Sequence, residues 1–314
     1  MASIAKRPCK IGFFLPIVEG QMDGVTPRWS DIIAMAQRAE EVGFDSVWIP
    51  DHLLFRFTEI TEGAYDCMSI LAGLAAATKR VEIGTLVICT GFRNPAYLAK
   101  MADTIDEMSD GRLILGLGAG YHEPEYRAFG FPYDHRASRF EEALTIISTL
   151  LHTGEIDYEG QFYSARECEL RLRGPRPNGP PIMVGTTGER MLRTTARLAD
   201  LWNRWLVFDQ SRATEIPALR ARVDAACAEV GRDPATLGRT ASVLVDFKNR
   251  PEEPPIYNRP HANPTPITGT PEQIAAQLRA FVDEGISHLQ VWTSPRTVAG
   301  VEQFAPVLEA FDRG

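Results

Sequence analysis

The chain has 314 residues, with 33 basic and 41 acidic side chains, a formal net charge of −8, 44% hydrophobic residues and 24% charged residues. That composition excludes a disordered chain, a collagen-like fibre and a disulfide-dense mini-domain. An acidic balance without Lys/Arg blocks argues against nucleic acid or an anionic membrane as partner. The five cysteines (Cys9, Cys67, Cys89, Cys168 and Cys227) are scattered without a C-x-x-C pair. They point to a reducing, cytoplasmic compartment and not to a disulfide or zinc framework. No stretch approaches the roughly 18 apolar residues of a membrane span, and the apolar start at 11–18 lacks a small-residue cleavage site.

In chain order, short apolar runs read as strands at 10–15, 46–49, 81–88, 113–117, 182–184, 201–205, 239–245 and 288–292. Such runs suit strands buried on both faces of a parallel sheet. Helical stripes lie between them: Ile32, Ala36 and Ala39; Phe140, Leu144, Ile147 and Leu151; Ile216, Leu219, Val223, Cys227 and Val230. Ile274, Leu278 and Phe281, then Val301, Phe304, Leu308 and Phe311, continue the pattern. Thr26-Pro27 and Thr270-Pro271 mark helix starts, and Gly43, Gly111 and Gly285 mark helix stops before strands. Strand and helix alternate as in an α/β fold, a (β/α)8 TIM barrel spanning residues 1–314 as one domain.

Two stretches break the rhythm. Residues 154–180 form an insertion between the fourth helix and the fifth strand, expected on the face opposite a barrel active site. A Pro-rich loop at 251–271 follows the seventh strand and is expected on the catalytic face, as a lid or an unstructured connection.

Polar residues just past strand C-termini are the chemical candidates in such a barrel. Asp51-His52 follows the second strand; a carboxylate beside an imidazole can exchange a proton near neutral pH, and a loop histidine capped by its own aspartate is the alternative. After the fourth strand come Gly116-Leu117-Gly118-Ala119-Gly120-Tyr121-His122-Glu123. With no helix expected before about Arg139, the Rossmann reading fails its context test. What remains is backbone that approaches a flat ligand closely, or a tight barrel turn. Convergence of His52, His122, Glu123 and Glu125 on a metal, as in a metal-assisted hydrolase, has no recognised ligand spacing behind it. Gly185-Thr186-Thr187-Gly188-Glu189-Arg190 leaves the fifth strand and opens a helix. Its amides and hydroxyls, with Arg190 and Arg193 near, compose a phosphate cradle or a plain glycine-rich turn. Phe13, Phe14, Trp48, Phe92, Trp202 and Trp205 are divided between core and an apolar substrate wall.

Taken in order, several segments resemble the bacterial-luciferase-like superfamily, especially its deazaflavin (coenzyme F420)-dependent oxidoreductases. They are residues 41–52 (EVGFDSVWIPDH), 81–85 (VEIGT), 94–96 (NPA), 110–116 (DGRLILG), 139–144 (RFEEAL), 188–190 (GER) and 199–203 (ADLWN). The likeness runs from about Lys10 to Asn203 and more loosely beyond.

The resemblance implies an isoalloxazine-type ring in the barrel mouth, with coenzyme F420 as cofactor and FMN as the alternative. It implies Asp51, His52 and Tyr121 as catalytic residues, with Asp51 and His52 beside the reactive ring centre. A non-proline cis bond under the ring is expected at Leu86-Val87. Cys89, Gly120, Tyr121 and His122 would also contact the cofactor, and Gly185, Thr186, Thr187 and Gly188 would hold its phosphate. Tyr121 stands where glucose-6-phosphate-oxidising relatives place a glutamate, which speaks against that substrate. The expected activity is hydride transfer between the coenzyme and a small organic substrate. The rivals are an FMN-dependent monooxygenase supplied by a flavin reductase and a non-catalytic flavin-binding protein. A homodimer is left open.

Overall fold

Eight parallel strands close on one another in the computed structural model, which describes residues 7–56, 60–247 and 264–313. They are β1 (Lys10–Phe14), β2 (Ser46–Ile49), β3 (Glu82–Thr85), β4 (Leu113–Gly118), β5 (Ile182–Gly185), β6 (Leu201–Trp205), β7 (Gly238–Asp246) and β8 (His288–Ser294). Neighbours in sequence pair in order, β8 pairs with β1, and β4 pairs with β5, so no barrel strand is left as a free edge. Every residue of β2, β4 and β8 is buried, as expected for strands covered inside and out. All eight expected strands are present, and the (β/α)8 barrel is the observed architecture.

The helices α1 (Trp29–Val42), α2 (Cys67–Ala77), α3 (Pro95–Met108), α4 (Glu123–Phe129), α5 (Arg136–Thr153), α6 (Glu189–Leu198), α7 (Ile216–Glu229), α8 (Pro271–Asp283) and α9 (Val298–Asp312) complete the repeat. The expected apolar stripes face the strands: Ile32, Ala36 and Ala39 in α1 and Phe304, Leu308 and Phe311 in α9 are all buried. Thr270 caps α8 as its sequence suggests, its hydroxyl accepting from the Gln273 amide. Among the described residues no helix is long and apolar enough to cross a membrane.

Four details depart from the sequence reading. The first helix begins at Trp29 and not at Thr26-Pro27, because the Asp31 carboxylate accepts the Arg28 amide at 2.9 Å and sets the cap there. A helix does follow the fourth-strand glycines: α4 has only seven residues, too few to show a stripe, and Gly130 ends it at φ +78°. The third strand is interrupted after Thr85 by a cis Leu86-Val87 bond, where the resemblance places one, and resumes at Ile88–Cys89. Four steps from Gly84 to Ile88 oppose three from Ile114 to Leu117, which makes this a bulge.

The fourth departure is the insertion. Its later part is tied to the barrel bottom, where Arg176 pairs with Asp106 and the Gly174 amide donates to Asp103 Oδ1 at 3.1 Å. Its two strands, Glu155–Glu159 and Ser164–Glu169, climb along α5. The turn is caught by Glu142, whose carboxylate accepts the amides of Gln161, Phe162 and Tyr163 at 2.8–3.0 Å. The insertion therefore reaches the first turns of α5 and is not confined to the bottom face. Of the expected Pro-rich loop, 251–263 lies outside the described residues; Ile267 bridges to Val245, and α8 follows.

His288 is a titratable group buried in the barrel floor. His288 Nε2 and Ser46 Oγ lie 2.7 Å apart, and Trp48 Nε1 donates to the same hydroxyl at 2.7 Å. Complete burial, aided by Lys10, pushes the imidazole down to about 3. The unfolded chain would take up this proton near pH 6.5, whereas the folded chain resists it. Stability should therefore fall as pH drops from about 6.5 towards 3, by up to about 1.4 kcal/mol per unit from this residue. Urea unfolding at pH 7, 5.5 and 4.5 should show that slope reduced in His288→Gln; equal slopes would remove His288 from the acid response.

Candidate active site

The C-terminal ends of the strands frame a cavity of about 530 Å³, mostly apolar in its lining. On one side the chain leaves β2 as Pro50-Asp51-His52, all three at the cavity wall. Asp51 is 3% exposed and both its oxygens are held. Arg93 grips it bidentately, Nη1 to Oδ2 at 2.6 Å and Nη2 to Oδ1 at 3.0 Å, and the Cys89 amide donates to Oδ2 at 2.9 Å. Asp51 thus holds the strand that resumes after the cis bond.

His52 pairs elsewhere. Its Nδ1 lies 3.0 Å from Glu125 Oε1, and Glu125 Oε2 accepts the Leu53 amide at 2.9 Å. Glu125, on α4, is 2% exposed. A carboxylate accepts only, so Nδ1 carries the hydrogen and Nε2 is left as the ring atom that can take or give a proton. Tyr121 stands edge-on to His52, ring centroids 5.7 Å apart, and is 54% exposed.

The bulge supplies the adjoining wall. Leu86, Val87 and Cys89 all line the cavity. A Cβ on Gly118 would meet Val87 Cγ2 at 2.7 Å, so glycine lets the bulge settle onto β4. Burial pushes the Cys89 thiol up to about 12, which makes it inert; its sulfur lies 2.8 Å from Tyr126 Oη, which in turn donates to Ala119 O at 2.7 Å.

Past β5, Gly185, Thr186 and Thr187 line the cavity and run into the first turn of α6. The loop is pinned from behind: Trp202 Nε1 donates to Thr186 O at 2.8 Å and Arg222 to Thr187 O at 2.7 Å. Gly188 caps α6 at φ −77°, and a Cβ built there meets nothing within 4 Å. The two arginines expected beside it are engaged outside, Arg190 with Glu141 at 2.6 Å and Arg193 with Glu229 at 3.6 Å.

Of the residues singled out from sequence, Asp51, His52, Leu86, Val87, Cys89, Gly120, Tyr121, Gly185, Thr186 and Thr187 are gathered around one cavity. Gly188 and His122 are not among the lining residues; Gly188 sits just beyond Thr187 at the helix start, and His122 is buried with its Nε2 accepting the Arg56 amide at 3.0 Å. Among the described residues no group of three His, Cys, Asp or Glu could hold a metal. Phe14 and Trp205 are wall residues, whereas Phe13, Trp48, Phe92 and Trp202 pack in buried clusters. Sequence reasoning missed Glu125 as partner of His52, and Phe55, Phe208 and Trp292 in the wall. Trp292, at the end of a named strand, carried a readable signal.

Comparison with known proteins bears on this geometry. The family description luciferase-like monooxygenase matches residues 9–254. The chain belongs to that family. An F420-dependent glucose-6-phosphate dehydrogenase of Amycolatopsis mediterranei is 28% identical over 292 residues, covering 82% of this chain and 87% of that protein. A phthiodiolone/phenolphthiodiolone dimycocerosates ketoreductase of Mycobacterium tuberculosis is 31% identical over 250 residues, 73% of this chain and 63% of that longer enzyme. Among solved structures, an F420-dependent secondary alcohol dehydrogenase in complex with an F420-acetone adduct superposes with a TM-score of 0.79 at 19% identity, over 96% of this chain and 99% of that one. That superposition shows the two chains share one fold.

Gly120 carries the tightest packing at the site. It sits at φ +69°, and a Cβ there would lie 2.1 Å from Tyr126 Oη and 2.5 Å from Cys89 Sγ. Gly120→Ala should lose about 2–4 kcal/mol through backbone strain plus overpacking. Chemical denaturation checks this; wild-type stability would mean that the loop relaxes freely.

Proposed function

We propose that this chain is a deazaflavin (coenzyme F420)-dependent oxidoreductase that passes a hydride between the coenzyme and a small organic substrate. The observation that carries the reading is an imidazole at the cavity wall, held by a buried glutamate beside the Leu86-Val87 bulge. Its family relatives include a protein named as an F420-dependent dehydrogenase, similar over most of both chains.

The residues present fit such a cofactor. The cavity is apolar along the bulge, as a flat ring requires, and its far wall is Gly185-Thr186-Thr187, which runs through Gly188 into a helix start, where an anion finds backbone amides. Open space at Gly188 leaves room beside those amides. Leu86, Val87, Cys89, Gly120 and Tyr121 would contact the ring, and Gly185, Thr186, Thr187 and Gly188 would hold the phosphate; His122 supports the wall through Arg56. When bound, the coenzyme supplies two-electron hydride chemistry at a carbon of its ring.

The protein supplies position and a proton. His52 moves that proton at Nε2, and Glu125 keeps the ring oriented while stabilising it when charged. Asp51 acts by positioning, since both its oxygens are committed to Arg93 and Cys89. Tyr121 flanks His52 at the cavity wall. A cytoplasmic setting accords with five cysteines that are all free thiols, four of them buried.

Fluorescence titration of the purified protein with coenzyme F420 and with FMN tests the reading. F420 should bind the more tightly, and Gly188→Val should keep its fold while weakening that binding at least tenfold. Clear FMN preference with oxygen-dependent product formation would overturn it in favour of a monooxygenase that needs a flavin reductase.

A further inference from the structure

We propose that the site selects a neutral, aryl-bearing carbonyl compound or its alcohol, its ring seated against a corner built from Phe14, Trp205, Phe208 and Trp292. This rests on the hydride-transfer reading above, which places the reactive oxygen at His52.

The mouth is divided by strand. The proton-handling side comes from β2, the bulge after β3 and α4 beyond β4. The opposite arc, β6 through β8 and round to β1, presents four aromatic rings to the same cavity. Phe14 and Trp292 stack with centroids 4.9 Å apart and planes 12° from parallel. Trp205 stands edge-on to both, at 5.7 and 5.6 Å. Phe208 stands edge-on to Trp205 at 5.5 Å and to Trp292 at 5.9 Å. These are the offset and edge-to-face arrangements that aromatic quadrupoles favour. Each ring is held by the others, so the corner is preformed, and ordering it costs a ligand little.

Charge at the wall points the same way. Among the described residues the cavity carries two carboxylates, Asp51 and Glu125, and one guanidinium, Arg204. Arg204 Nη2 donates to Asp209 Oδ2 at 2.6 Å, so its charge is matched. A phosphorylated or carboxylate substrate would meet one cation already paired and two fixed negative charges. A molecule with one polar end and one flat apolar end spans the two arcs without burying an unmatched charge.

Calorimetry on the protein, both cofactor-free and loaded with F420, decides the matter with acetophenone, acetone and glucose 6-phosphate as probes. Acetophenone should bind at least about tenfold tighter than acetone, because the phenyl group buries more apolar surface, and glucose 6-phosphate should not displace it. Trp205→Leu and Phe208→Leu should each cut the acetophenone-to-acetone ratio at least about threefold, with melting temperature and F420 affinity near wild type. A wild-type ratio near one, comparable glucose 6-phosphate binding, or a ratio unchanged in both variants would overturn the proposal. Aryl preference in protein that fails to bind F420 would support the corner while removing the hydride-transfer reading.

Discussion

The buried Asp51 carboxylate is the constraint on which the rest of the site hangs. It joins the end of β2 to Arg93 and to the amide of Cys89, so the chain just past the bulge is fixed relative to the chain that bears His52. Burial alone would lower the Arg93 pKa, but the facing carboxylate more than offsets this and holds the guanidinium charged. Each ion would be costly to bury alone, by roughly 3–5 kcal/mol once its partner is removed. From this tie follow the placement of the Cys89 sulfur against Tyr126, the Tyr126 hydroxyl bond to Ala119, and the tight seat of Gly120.

His52 follows Asp51 in sequence but answers to a different carboxylate. With Asp51 consumed by Arg93, the imidazole reaches across to Glu125 on α4, 73 residues away in the chain. Two adjacent polar residues are thereby split between holding the wall and the proton handling proposed for His52. A loop histidine capped by its own aspartate, the plain alternative for this dipeptide, is not the arrangement found.

The barrel was legible because its strands are buried on both faces and so read as bare apolar runs, three of them (β2, β4 and β8) preceded by a helix and a glycine stop. What stayed hidden has physical reasons. Helix α2 is apolar all round its Met68–Ala77 stretch, so it shows no stripe. Helix α4 is too short to show one. The hairpin in the insertion takes its position from Glu142, which looks in sequence like any exposed helix glutamate. At the site, residues next to strand ends were within reach of sequence reasoning, Asp51, His52 and Thr186 among them. The His52–Glu125 pair was not, since it depends on how α4 folds back over β2. The reverse error has the same root: His122 beside Tyr121 looked equally available, yet the Arg56 amide takes its ring nitrogen.

The central claim is that His52 moves the proton and that cofactor affinity rests on the bulge and the Thr186-Thr187 loop. It is tested most directly by measuring, on one folded His52→Ala preparation, both turnover with the accepted carbonyl compound and the dissociation constant for F420. The account predicts a fall in kcat of about 10²–10⁴ with the dissociation constant changed by no more than about threefold. Wild-type turnover, or a loss traced wholly to coenzyme affinity, would contradict it.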